Sequence, residues 1–413
     1  MDLPEVPERI ARFEQWGYGL FLHWGLYSLL NRGEWTMAHH SVARPEYARL
    51  MDQFTADAWD APALVQWAKR AGFRYICLTT RHHDGFSLYD TRGLSAFDAP
   101  HSPAKRDLVR EFADACQAQG MGLFFYHTTL DWKQDSFDQN WDAYQQYLRD
   151  SVEILCRHYG PVDGFWFDGN WARPHQDWQE DALYGLIRRL QPQAILINNS
   201  STQALGQRGH PEVDVLTFEQ GAPTVVEPAA TQKYVARERC DTLSSHWGAA
   251  SAGDFSFQGP AQIITKLAQC RGAGANLLLN VGPLASGALP AYERAALDVV
   301  GHWIERCPGG SLYAGRPTKL LCSGTDFVLQ TPDAFYLFVF DLGITGNMHL
   351  GGDIGRRETV AGALPTVRTI QWTDNGEPLR FTQSVDGTLL TLAATANPYG
   401  TQPVVRVARI ECE

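Results

Sequence analysis

Residues 122–168 read GLFFYHTTLDWKQDSFDQNWDAYQQYLRDSVEILCRHYGPVDGFWFD, and three segments of this stretch decide the fold. Residues 122–127 (GLFFYH) and 164–168 (GFWFD) are short apolar runs that each end on a polar side chain. Between them Tyr144, Leu148, Val152, Leu155 and Tyr159 recur at helical spacing and share one face. A strand that is apolar throughout has no face to offer water, so it belongs to a parallel sheet with helices on its outer side.

The same unit repeats outward in both directions. Further runs lie at 18–23 (YGLFLH), 75–80 (YICLTT), 194–199 (AILINN), 213–219 (VDVLTFE), 241–247 (DTLSSHW) and 275–281 (ANLLLNV). The run at 241–247 is the weakest of them, because its Ser and His content resembles a loop. Helical patterns intervene: Leu64, Val65, Ala68 and Ala71; Leu108, Phe112 and Cys116; Leu183, Leu186, Ile187 and Leu190; Ile263, Ile264 and Leu267. Eight strand–helix repeats predict a (β/α)8-like barrel over residues 1–312. After CPGG at 307–310 the helical period disappears. Short β-type runs at 319–323, 327–331, 335–340, 366–372, 379–382, 389–392 and 404–410 predict a C-terminal antiparallel β-sandwich over 313–413.

Composition narrows the function. Asp and Glu number 46 against 35 Lys and Arg, a net charge of −11, so the basic footprint of a nucleic-acid binder is missing. No apolar run approaches the about 18 residues of a membrane span. The N-terminal stretch is polar and acidic and shows no signal-peptide pattern. The eight cysteines include no C-x-x-C pair and fall largely in apolar segments. That usage predicts reduced thiols and a cytoplasmic protein. The sequence leaves a homo-oligomer open.

Barrels carry their chemistry at the C-terminal ends of strands. Here those ends supply His23 and Trp24, His82, His83 and Asp84, Tyr126 and His127, Asp168, Asn198 and Asn199, Glu219, Trp247 and Asn280. Asp168 follows four apolar residues and precedes a glycine. Glu219 takes the same position two strands later, and Glu is a poor helix cap. Two carboxylates facing across a ligand are what glycoside hydrolysis requires, one as nucleophile and one as acid/base. The aromatics agree, because Trp24, Trp35, Trp132, Trp166, Trp171 and Trp247 lie at or just past strand ends, where indole faces can stack on a sugar. His82 and His83 could suggest a metal. Neighbouring strand residues point to opposite faces, however, and no H-x-H or H-E-x-x-H pattern is present, so no metal is expected.

The motifs GYGLFLHWGLYS (17–28), GEW (33–35), YICLTTRHHDGFSLYDT (75–91), KRDLV (105–109), LDW (130–132), FWFDG (165–169), TFEQ (217–220) and NLLLNVGP (276–283) closely resemble the α-L-fucosidases of glycoside hydrolase family 29. The resemblance spans about residues 13–312. It implies a barrel followed by a β-sandwich, a retaining mechanism, a fucosylated oligosaccharide or glycoside as substrate, and no cofactor or metal. It assigns the nucleophile to Asp168 and the acid/base to Glu219, with Glu238 as runner-up. It assigns sugar binding to His23, Glu34, Trp35, His82, His83, Tyr126, Trp166 and Trp247. Two departures stand out. Phe125-Tyr126 replaces a tyrosine pair, and Ser200 stands where some members have arginine. Fucose lacks a 6-hydroxyl, so an apolar wall is expected from Phe21, Phe125 and Trp247. A galactose-like sugar or transfucosylation is the alternative activity. In the sandwich, Trp372 and Tyr399 are the residues that could touch a glycan, although packing is the expected role.

Overall fold

The computed structural model describes residues 5–224, 233–250, 256–340, 342, 355–397 and 402–413. The chain divides into two compact units, residues 1–258 with 276–295, and residues 259–275 with 296–413.

In the first unit eight parallel strands close into a barrel in sequence order. They are β1 (Tyr18–Leu22), β2 (Tyr75–Arg81), β3 (Gly122–Thr128), β4 (Gly164–Asp168), β5 (Ile195–Asn198), β6 (Val215–Thr217), β7 (Ala236–Thr242) and β8 (Asn276–Val281). Phe21, Tyr75, Cys77, Phe124, Tyr126, Trp166, Ile197, Val215, Cys240 and Leu278 fill the interior as one apolar cluster. Ile10 and Phe13 of the helix Glu8–Trp16 join that cluster against the first residues of the strands. So much aromatic volume needs an opposing void. Gly164 supplies one, since a Cβ there would lie 2.0 Å from the Phe124 ring.

Outside, the helices Ala61–Arg70, Leu108–Gln119 and Trp141–His158 bury the faces that their periodicity marked. Asp60, Asp107 and Asn140 cap them by accepting from the backbone N–H of the third helical residue, Ala63, Arg110 and Ala143 respectively.

The seventh strand differs from its expected place. It runs ARERCDT and ends where the stretch 241–247 begins. Arg237 and Arg239 turn outward and break the apolar run, while Glu238 and Cys240 are buried inward. The join between β5 and β6 is also unusual, pairing only Ile197 with Val215. Beside it the buried Asp214 carboxylate accepts from Leu196 N at 3.1 Å and meets Arg9 at 2.9 Å, Arg188 at 2.7 Å and Lys233 at 3.2 Å.

The second unit holds two antiparallel sheets. One contains β10 (Leu321–Cys322), β13 (Gly355–Ala361), β16 (Leu389–Thr395) and β15 (Phe381–Gln383). The other contains β14 (Val367–Trp372), β17 (Arg406–Cys412), β12 (Phe335–Val339), β11 (Phe327–Gln330) and β9 (Arg316–Pro317). Leu337, Val360, Ile370, Leu390, Ala408 and Ile410 form their common core. Strand β13 escaped the sequence reading because Arg356, Arg357 and Glu358 interrupt its apolar pattern. Trp372 is fully buried in this core, its Nε1 donating to Thr395 Oγ1 at 2.8 Å, so it is a packing residue and presents no face to a glycan. Tyr399 lies outside the described residues. No described helix is long and apolar enough to cross a membrane.

Candidate active site

The C-terminal ends of the barrel strands surround a cavity of about 390 Å³. Nine of the residues to which the resemblance assigned catalysis or sugar binding line it: His23, Trp35, His82, His83, Tyr126, Trp166, Asp168, Glu219 and Trp247.

Asp168 closes β4, and four donors converge on its carboxylate. Trp171 Nε1 at 2.8 Å and Asn199 Nδ2 at 3.2 Å reach Oδ1. Tyr126 O–H at 3.1 Å and His83 Nε2 at 3.5 Å reach Oδ2. Burial alone would raise the pKa of Asp168, but His83, Trp171 and Asn199 outweigh it and hold the group below the usual carboxylate range. Of the three histidines named from sequence, His23, His82 and His83, it is His83 that lies within ion-pair distance of this carboxylate. The backbone after Asp168 turns through Gly169 at φ +123°, where a Cβ would sit 2.6 Å from Leu130 N. Only glycine fits that turn.

Glu219 lies two residues beyond β6 and accepts from Asn199 Nδ2 at 2.8 Å. Its pKa is pushed up to about 7, first by burial and then by the negative charges of Asp168 and Glu34, with the Asn199 hydrogen bond opposing. One carboxyl is therefore held ionised and its neighbour is poised to carry a proton near neutrality, the division an acid/base pair needs.

The imidazoles are set differently. His23 Nδ1 lies 2.7 Å from Asn280 Oδ1, an acceptor, which leaves the lone pair on Nε2. Burial lowers its pKa to about 3. Burial also keeps His82 neutral, and its buried Nδ1 has no hydrogen-bond partner among the described residues. The strand β2 has ended at Arg81, so His82 and His83 escape strand alternation and both reach the cavity. Among the described residues no three His, Cys, Asp or Glu side chains converge as a metal-binding set.

Several assignments need correction. Glu34 is buried behind the cavity wall, where its Oε2 accepts from the backbone N–H of Trp247 at 3.0 Å and of Gly248 at 2.7 Å. It fixes the wall through these two bonds. Glu238 lies beneath the floor, fully buried, accepting from Tyr75 O–H at 2.5 Å and Trp166 Nε1 at 2.9 Å. It has no opening to the cavity, so the runner-up acid/base is excluded by position. Phe125 points outward against Tyr159 and Phe165, because alternate residues of β3 face opposite sides. The apolar wall retains Phe21 and Trp247. Trp24 stacks on Trp59 in the core, and Trp132 backs Trp35 and His83 without lining the cavity.

Asn199 and Trp171 complete the site, together with Ser201, Thr202 and Gln203 on the rim. Asn199 was visible as a strand end and Trp171 as one of the aromatic set. Nothing local distinguished their hydrogen bonds to Asp168.

The α-L-fucosidase family model matches residues 6–307. The tissue α-L-fucosidase of Homo sapiens is 25% identical over 353 residues, covering 77% of this chain and 72% of that one. The α-L-fucosidase isoenzyme 1 from Paenibacillus thiaminolyticus has the same fold, with a TM-score of 0.82 and 26% identity over 98% of this chain and 99% of that chain. An α-L-fucosidase from Bacteroides thetaiotaomicron, solved as a trapped covalent intermediate with 2-fluoro-fucosyl fluoride, matches with a TM-score of 0.81 at 20% identity, over 100% of this chain and 97% of that chain. With its barrel matched by the family model from end to end, this chain belongs to the α-L-fucosidases of glycoside hydrolase family 29.

Proposed function

We propose that this protein is a retaining exo-α-L-fucosidase that removes terminal α-L-fucosyl residues by double displacement. Asp168 attacks the anomeric carbon as Glu219 gives its proton to the departing glycosidic oxygen, and a fucosyl–Asp168 ester forms. Glu219, now ionised, takes a proton from water as that water attacks the same carbon and frees Asp168. His23, His82 and the indoles bind and orient the sugar, and Phe21 and Trp247 present an apolar face to its methyl group.

One observation carries this reading: the Nδ2 atom of Asn199 bonds both carboxyl groups, at 3.2 and 2.8 Å. The two bonded oxygens can be no farther apart than those distances laid end to end. That favours the close pair of retaining enzymes, about 5–5.5 Å, over the about 6.5–9.5 Å of inverting ones. The covalent intermediate reported for the Bacteroides relative agrees with it.

Exchanging Asp168→Gly is expected to abolish turnover of an aryl α-L-fucoside, and added azide is expected to restore release of the aryl group with formation of β-L-fucosyl azide. Full activity of the variant without azide would remove Asp168 from the nucleophile's role. Incubating the native enzyme with 2-deoxy-2-fluoro-fucosyl fluoride should add one fluorofucosyl group to the peptide that contains Asp168, readable by mass spectrometry.

A further inference from the structure

On the fucosidase reading the fucosyl ring takes the part of the cavity nearest Asp168, and the rim is a separate feature. An acid that protonates the glycosidic oxygen must stand beside whatever departs, so the leaving group lies on the open side of Glu219. That side is edged by residues 201–203. They are tied to the acid through Asn199. Asn199, which holds Glu219 through Nδ2, accepts from Ser201 N through Oδ1 at 3.2 Å. Gln203 N then bonds Ser201 Oγ at 3.4 Å. Thr202 and Gln203 are exposed to solvent while lining the cavity.

The charge of the lining is one-sided. Asp168 and Glu219 are its carboxylates, and no Lys or Arg is among the described lining residues. A sulfated or acidic leaving group would meet like charge without a counter-ion. An uncharged polyol would meet two hydroxyls and a carboxamide, each able both to donate and to accept.

We propose that Ser201, Thr202 and Gln203 form a subsite for the leaving group, and that its occupant is an uncharged sugar. This rests on the fucosidase reading. The test compares two substrates on the native chain and on Thr202→Ala/Gln203→Ala. The first is α-L-fucosyl fluoride, whose one-atom leaving group reaches no subsite. The second is whichever of the α1,2-, α1,3-, α1,4- and α1,6-linked fucosyl disaccharides the native enzyme cleaves best.

The ratio of kcat/KM for the disaccharide to kcat/KM for the fluoride is expected to fall about five-fold or more in the variant, the scale of losing one or two exposed hydrogen bonds. An unchanged ratio overturns the subsite and leaves the fucosidase reading intact. Absence of fluoride turnover by the native enzyme overturns that reading and the subsite with it. A sulfate on the leaving sugar is expected to slow the native enzyme, and faster cleavage would overturn the claim of an uncharged occupant.

Discussion

Asn199 does the work of two residues, since one amide nitrogen stabilises the ionised forms of both carboxyl groups. Its hydrogen bond opposes the rise in the Glu219 pKa, so Asn199→Ala should raise that pKa further. Because Glu219 must be protonated to act as acid, kcat/KM should fall as pH climbs through about 7, and in Asn199→Ala that limb should shift to higher pH. A limb that moved to lower pH would contradict this assignment. In Glu219→Gln the limb should vanish, with a loss of about 10²–10⁴-fold on glycosides that depart poorly. At this scale the sequence was most legible where a polar residue ends an apolar strand, as with Asp168 and His23. It was least legible for residues defined by what they touch. Glu34 and Glu238 read as plausible site carboxylates, and only their burial against backbone N–H groups or Tyr75 and Trp166 reveals that they hold walls and floor.

The turn after β4 shows how an element positions a side chain. Asp168 O accepts from Thr129 N at 2.7 Å and Thr129 Oγ1 at 3.0 Å, while Gly169 passes against Leu130. Gly169→Ala would place a Cβ where neither the dihedral nor the space allows one. A loss of about 1–3 kcal/mol is expected in urea unfolding, together with a drop in kcat as Asp168 is displaced. Equal stability and equal kcat would refute the role given to this turn. Element by element, apolar strands and amphipathic helices could be read directly, because their periods reflect burial on one or both faces. Strands β7 and β13 could not. Charged residues break their apolar runs, Arg237 and Arg239 in β7 and Arg356, Arg357 and Glu358 in β13, and the pairing that makes them strands is with distant segments.

For the whole molecule, buried titratable groups set a pH window of stability. Burial raises the carboxyls of Asp84 to about 6, Glu238 to about 7 and Glu293 to about 8. These, with Glu219, keep protons in the folded state that the unfolded chain has released, so stability falls as pH rises from about 6.5 towards 8. His23 and His127 are pushed down to about 3, and His82 is lowered too. These rings refuse protons that the unfolded chain accepts, so stability also falls as pH drops below about 6.5 towards 3. The two sets oppose each other between about 4.5 and 6.5, the ordinary Glu and His values. The thermal midpoint should therefore peak on the acid side of neutrality and decline by pH 8, as calorimetry across pH 4–8 would record. A midpoint still rising at pH 8 would contradict it.

The β5–β6 join has a consequence for how the molecule comes apart. Where a single ladder pair closes the ring, the Asp214 ion cluster takes over much of the fastening, and the loops carrying Asn199 and Glu219 hang from the two sides of that seam. Guanidinium chloride weakens ion pairs by screening, whereas urea carries no charge. The two denaturants should therefore disagree: guanidinium should extinguish turnover well before the far-ultraviolet dichroism changes, and urea should lose both nearly together.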